Sequence, residues 1–157
     1  MTEIEEKYMR EALAEGQKAA GILEVPIGCV IVYDDQVIGR GYNQRNIKKS
    51  TLGHAEILAI EEATAFMDDW RLEECTMYVT VEPCPMCAGA ILQSRMTKLV
   101  YGTKNAKAGC VGSLYNLLED ERFNHQVVVE SGVLEDECRE QMSSFFRKIR
   151  EAKKISE

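Results

Sequence analysis

An α/β sandwich on a mixed sheet is the architecture this sequence predicts, and three observations predict it. Short apolar runs of strand length alternate with longer segments at helical spacing. The first two strand runs, Ile27–Tyr33 and Gln36–Tyr42, are separated only by Asp34-Asp35, so they form a hairpin and pair antiparallel. The third run follows only after a helical segment, and a crossover of that length allows parallel neighbours. In chain order, Thr2 and Glu5 have the spacing of a capping box, opening a helix with Ala, Leu and Met on one face through about Ala20, ended by Gly21. After the hairpin, residues 43–53 are rich in Asn, Lys, Ser and Thr and read as a loop. A helix starts near His54, with Ile57, Leu58, Ile60 and Ala63 at helical spacing. Cys75–Val81 is the third strand, Pro83-Cys84-Pro85 turns into a buried helix from Met86 to about Gln93, and Lys98–Gly102 is the fourth strand. Val127–Glu130 is the fifth, and a last helix from near Glu135 carries Cys138, Met142, Phe145 and Ile149 on one stripe. The two inner helices should cover one sheet face, with ligands bound beyond the strand ends where those helices begin.

Composition narrows the class of protein. The 157 residues, 45% hydrophobic and 29% charged, suit one soluble domain, expected to span residues 1–157. No apolar run is long enough to cross a bilayer, and the N-terminus is acidic where a signal peptide would be basic, so a cytoplasmic location is expected. There the six cysteines are expected to be reduced, as ligands, nucleophiles or core residues. The net charge of −7 argues against a generally basic nucleic-acid binder, but the charges are unevenly placed. No Asp or Glu occurs from Gln36 to Ala55, which holds Arg40, Arg45, Lys48 and Lys49, or from Pro83 to Leu118, which holds Arg95, Lys98, Lys104 and Lys107. Those stretches suit a polyanion, or reflect chance clustering.

Two motifs carry chemistry. His54-Ala55-Glu56 is weak alone. Cys84 and Cys87, flanked by prolines at 83 and 85, could be a redox pair, half of a zinc site or two core cysteines. At a helix start they share a face, and the positive helix end favours their thiolates. Together the motifs supply two thiolates and one imidazole, and three protein ligands with an open position mark catalytic zinc. A structural site would need a fourth ligand; His125, Cys75, Cys110 and Cys138 remain, without a recognisable ligand spacing. A redox reading leaves His54 and Glu56 without a role. One carboxylate near the metal can take a proton from the attacking water and give one to departing ammonia, which is the role expected of Glu56. Positions two apart on a helix point about 200° apart, so His54 must lie at the helix edge for both to face one pocket.

His-x-Glu followed by Pro-Cys-x-x-Cys is the signature of zinc nucleobase deaminases, and the chain resembles one cytidine deaminase-like branch, the bacterial tRNA-specific adenosine deaminases. The resemblance spans nearly the whole sequence. It includes Glu24-Val25-Pro26-Ile27-Gly28, Gly41-Tyr42-Asn43, His54-Ala55-Glu56-Ile57, Tyr78 to Cys84, Met86-Cys87-Ala88-Gly89-Ala90, Ala106-Lys107-Ala108-Gly109, Gly112-Ser113, Asn124-His125 and Phe145-Phe146-Arg147. It implies a three-layer α/β/α sandwich with a five-stranded mixed sheet, one Zn2+ per chain and a homodimer. It also implies that the wobble adenosine of a tRNA anticodon stem-loop is converted to inosine. Asn43 matches the family's base-reading asparagine, Ala55 offers a backbone N–H, and Lys107 and Arg147 match positions near the RNA path. Phe145 and Phe146 match that path too, though their spacing equally suits a helix core. Where the family often reads Asp-Pro-Thr-Ala before His-Ala-Glu, this chain reads Ser50-Thr51-Leu52-Gly53. Two other functions fit the residues in part: deamination of a free base or nucleoside, and a non-catalytic tRNA-binding subunit. The basic stretches disfavour the first and the intact Glu56 the second.

Overall fold

A computed structural model describes residues 2–156. Its elements are α1 (Glu3–Gly21), β1 (Gly28–Tyr33), β2 (Gln36–Tyr42), α2 (Arg45–Lys48), α3 (Ala55–Met67), β3 (Thr76–Val81), α4 (Pro85–Gln93), β4 (Lys98–Thr103), β5 (Val128–Ser131) and α5 (Glu135–Ser156). The strands form one sheet in the order β2-β1-β3-β4-β5. β1 pairs antiparallel with β2 and β3, whereas β3–β4 and β4–β5 are parallel. This is the expected mixed sheet, with helices on both sides.

Strand alternation sorts the core into two layers. Cys29, Ile31, Met77, Val79, Leu99 and Tyr101 face one way and pack with Ala55, Ala59 and Ala63 of α3 and Ala88 and Ile91 of α4. The residues between them, Val30, Val32, Tyr78 and Val100, face the other way, onto Tyr8, Met9 and Ala12 of α1 and Cys138 of α5. Leu99 is fully buried in the first layer. Leu99→Ala should therefore cost about 2–5 kcal/mol of stability, read as a lower urea midpoint at unchanged slope.

Local chemistry places the elements. The Thr2 hydroxyl accepts the Glu5 amide at 3.1 Å and the Glu5 carboxylate accepts the Thr2 amide at 3.2 Å, completing the capping box. Asp34 and Asp35 both adopt positive φ, 50° and 58°, the backbone of a type I′ hairpin turn. Ile31 pairs with Gly39 and Val32 with Val37, so Ile38 is an extra, bulged residue of β2. The absence of side chains at Gly39 and Gly41 lets α3 lie directly on β2: a Cβ at Gly41 would stand 2.1 Å from the Ala55 carbonyl oxygen.

One expectation changes. Residues 43–53 are not wholly irregular, because Arg45–Lys48 forms a single helical turn. Its signal is absent from hydrophobic periodicity because the turn is held from outside. Glu24, 1% exposed, accepts the Asn46 amide at 3.2 Å and the Ile47 amide at 2.8 Å. A buried carboxylate thus serves as the cap of a helix too short to form alone.

Candidate active site

The chemical residues meet at one end of the strands, where the central strand β3 ends and α3 and α4 begin. His54 is the N-cap of α3, with extended backbone at φ −88° and ψ 148°. Glu56 follows inside the first turn. That break in helical geometry lets both residues line one pocket despite their spacing of two. Cys84 likewise stands just outside α4 as its N-cap, with Pro85 at the first helical position and Cys87 in the first turn. The two cysteines are therefore not both inside the helix.

The Nδ1 atom of His54 lies 3.6 Å from Cys84 Sγ and 3.5 Å from Cys87 Sγ, and the three donor atoms all fall within 4.8 Å of one another. Tetrahedral zinc bonded to nitrogen and sulfur at ordinary lengths sets an N···S edge of roughly 3.6 Å. The donor set, two sulfurs and an imidazole, is one that can hold a borderline-soft divalent ion. Among the described residues, the other candidates do not join the group. His125 Nε2 lies 2.8 Å from the Met96 carbonyl oxygen, and Cys75, Cys110 and Cys138 are buried free thiols outside it.

The electrostatics suit cation binding. The Cys84 thiol is pulled down to about 4, first by the hydrogen bond from Cys87 and then, against the cost of burial, by His54. The Cys87 thiol moves up, through the same shared hydrogen bond and through burial. The two thiols thus shift in opposite directions through one shared hydrogen bond, and a bound cation favours both thiolates. The Glu56 carboxyl is raised to about 7, chiefly by burial at 4% exposure, with the Cys84 charge adding to it.

The pocket has a volume of about 220 Å³. Val25, Ile27 and Val81 give it apolar walls, and Asn43, Arg45, Ala55 and Asn105 bring polar groups to it. Asn43 is buried, donates from Nδ2 to the Val25 carbonyl at 3.1 Å and accepts the Arg45 amide on Oδ1 at 3.1 Å. One N–H and one lone pair of its amide remain. Ala55 is the first residue of α3, so its N–H has no partner within the helix. The chain reaches α3 without an Asp-Pro turn. Instead the Ser50 hydroxyl accepts the Leu52 amide at 3.1 Å, and the Gln44 amide donates to the Gly53 carbonyl at 2.9 Å.

Lys107 is exposed beside the lining residues Asn105 and Ala108. The structure does not bring Arg147 into the pocket; it sits exposed on α5, paired with Glu140 at 2.7 Å. Phe145 is half-buried and Phe146 is exposed, with ring centres 5.4 Å apart. Sequence reasoning missed Glu82, which lines the pocket and is 1% exposed. Burial opposes its ionisation, but hydrogen bonds from Ser113, Asn105 and Val111 hold its carboxyl below the usual range. A lone carboxylate ending the apolar run Tyr78–Val81 was the available signal.

A sheet covered by helices on both faces, with a histidine, two cysteines and a buried glutamate at the end of its central strand, defines the class, and the sequence agrees with it. Residues 3–150 match the MafB19-like deaminase family. Deaminases are hydrolases of carbon–nitrogen bonds. The chain belongs to the tRNA-specific adenosine deaminases. It is 51% identical over 152 residues to the tRNA-specific adenosine deaminase of Bacillus subtilis, covering 97% of this chain and 94% of that one. It is 50% identical over 149 residues to the enzyme of the same name from Streptococcus pyogenes serotype M1, covering 95% and 87%. A solved structure from work on A-to-I editing by tRNA:A34 deaminases at the wobble position superposes with a TM-score of 0.82 at 38% identity, covering 86% of this chain and 98% of that chain.

Proposed function

We propose that this chain hydrolyses the 6-amino group of the wobble adenosine in a tRNA anticodon, giving inosine and ammonia, with one Zn2+ held by His54, Cys84 and Cys87. The observation that carries the reading is the meeting of three metal-type donors at one pocket, whose lining includes His54, Cys84 and the carboxylate of Glu56, with Cys87 buried behind it. The names of its relatives at about half identity support the substrate class. Bound zinc would supply the Lewis acidity that makes a water nucleophilic near neutral pH.

The remaining chemistry belongs to the chain. Glu56 takes a proton as water adds to the amine-bearing carbon, C6 of the ring, and returns it to the departing amine as the C–N bond breaks. A carboxyl buried beside the reacting centre and held in place at the start of α3 is placed for both directions of transfer. The free N–H and lone pair of Asn43 face the purine edge, the Ala55 N–H supplies a further donor, and the apolar walls hold the ring and exclude water. Lys107 and Arg147 serve the tRNA backbone rather than the base.

An anticodon loop presents its base already unstacked, which lowers the cost of entry to so small a pocket. Binding that relies on basic residues in a chain of net charge −7 should weaken as salt rises. Replacing Lys107 and Arg147 together by Ala should weaken stem-loop binding by about 10-fold or more at low salt and flatten its salt dependence, measured by fluorescence anisotropy. The direct test incubates purified protein with an arginine tRNA transcript carrying adenosine at the wobble position and scores inosine. Turnover of free guanine or cytidine with no inosine in tRNA would reassign the protein to free-base or nucleoside deamination.

We read residues 1–157 as one deaminase domain that acts in the cytoplasm as a homodimer. No helix of the described residues is long and apolar enough to cross a membrane. Light scattering on the purified protein reports the assembly.

A further inference from the structure

From Lys104 to Val127 the chain has no helix or strand, yet this segment supplies the pocket residues Asn105 and Ala108 and exposes Lys107 at the rim. Such a wall needs an anchor, and the hydrogen bonds converge on one group. Glu82 Oε1 accepts the Asn105 amide at 3.1 Å and the Ser113 hydroxyl, while Oε2 accepts the Val111 and Ser113 amides, each at 3.0 Å. Three backbone N–H groups and a hydroxyl from both ends of the 105–113 segment thus point at one buried carboxylate.

The chain is also tied to the neighbouring backbone. The Cys110 amide donates to the Pro83 carbonyl at 2.9 Å, and the Glu82 amide donates to the Thr103 carbonyl at 2.9 Å. Gly109 closes the cradle: a Cβ there would stand 2.4 Å from Glu82 Oε2 and 2.6 Å from the Asn105 carbonyl oxygen. No ordinary side chain fits without displacing the carboxylate or the loop.

We propose that Glu82 is a positioning residue, which holds the 105–113 segment as a preformed substrate wall and ties it to the strand end that leads into Cys84. This assignment rests on the deaminase reading for its functional consequence, but not for its effect on the loop. Only an acceptor on both branches of the side chain satisfies the cradle. A glutamine of the same shape turns its N–H2 either toward the Asn105 N–H, with the Ser113 hydroxyl rotated to accept, or toward the Val111 and Ser113 N–H groups, and in either orientation at least one backbone donor of the cradle loses its acceptor. The wall then loosens while the helix starts that carry His54 and Glu56 stay where the sheet puts them.

The test compares full-length, zinc-loaded wild type with Glu82→Gln, Gly109→Ala and Ser113→Ala. Four quantities are measured: zinc content, amide exchange across 105–113, and KM and kcat on an anticodon stem-loop. For Glu82→Gln and Gly109→Ala we expect zinc near wild type, exchange at Val111 and Ser113 faster by 10-fold or more, KM up by about 10-fold and kcat within about 3-fold. Ser113→Ala, a change at an exposed residue, should show a smaller shift of the same kind, and it decides the matter together with Gly109→Ala if Glu82→Gln does not fold. Unchanged exchange and KM in the folded variants overturn the proposal. So does a loss of zinc and kcat at constant KM, which would make Glu82 a support of the metal strand. If wild type itself makes no inosine, the substrate reading fails, and the exchange data still decide whether Glu82 holds the loop.

Discussion

Replacing Glu56 by Ala should leave a folded, metal-loaded protein whose turnover falls by roughly 10²-fold or more. The side chain is buried at the start of α3, but its position is not needed to hold that helix on the sheet, which Ala55, Ala59 and Ala63 do. It is also not one of the three grouped donors. Its loss removes the only carboxylate among the lining residues other than Glu82, whose oxygens are already occupied by the loop amides. Water cannot readily substitute, because a water molecule has neither the basicity nor the fixed position of a buried carboxylate. Glu56→Gln should be as inactive, since the amide keeps the shape and cannot carry the proton. Inosine formation per bound zinc is the measurement. Near-normal turnover in a zinc-loaded variant would remove Glu56 from the reaction.

Cys87→Ala should bind little zinc, where wild type should bind about one ion per chain. With the sulfur gone, His54 and Cys84 remain, and two donors close a tetrahedral site poorly. The fold should survive. Cys87 contributes one small side chain to the start of α4, whereas Ala88 and Ile91 make that helix's packing onto the sheet. A protein that still melts cooperatively while lacking metal would separate a catalytic centre from a structural one, since structural sites carry folding energy outright. Plasma emission spectrometry beside a thermal melt supplies both readings. Full retention of zinc by Cys87→Ala would sink the donor assignment.

Much of this was legible in the sequence because local rules and global fold agree. The hairpin was visible because two runs of strand length flank the Asp34-Asp35 turn, and α1 because Thr2 and Glu5 form the cap their spacing promises. Of the inner helices, α3 was visible because its apolar residues recur at helical spacing and α4 because Pro83-Cys84-Pro85 turns the chain into it. What was not legible depends on contacts distant in sequence. The turn Arg45–Lys48 exists because Glu24, twenty-odd residues earlier, caps it, and no window along residues 43–53 contains that information. The lone carboxylate after the apolar run Tyr78–Val81 marks Glu82, but its role was hidden for the same reason, as its partners lie at 105–113. The site was legible at the level of donor types and spacing. Its geometry was not, because Cys84 and His54 do their work as caps outside the helices, where periodicity says nothing about direction.

The close seating of α3 on β2 has a mechanical consequence. His54 rides on α3 and the two cysteines ride on α4, so the distance between donors is set by how far each helix stands from the sheet. At Gly41 that stand-off is the thickness of bare backbone, directly beneath Ala55 and one residue from both His54 and Glu56. A methyl group there needs more than an ångström of relief, whereas a metal centre tolerates only about 0.2 Å in each bond. The sheet therefore acts as a gauge block for the chemistry, and its tolerance is tighter than the fold's own. Gly41→Ala, which touches neither metal donor nor substrate, should detune the centre well before it unfolds the protein.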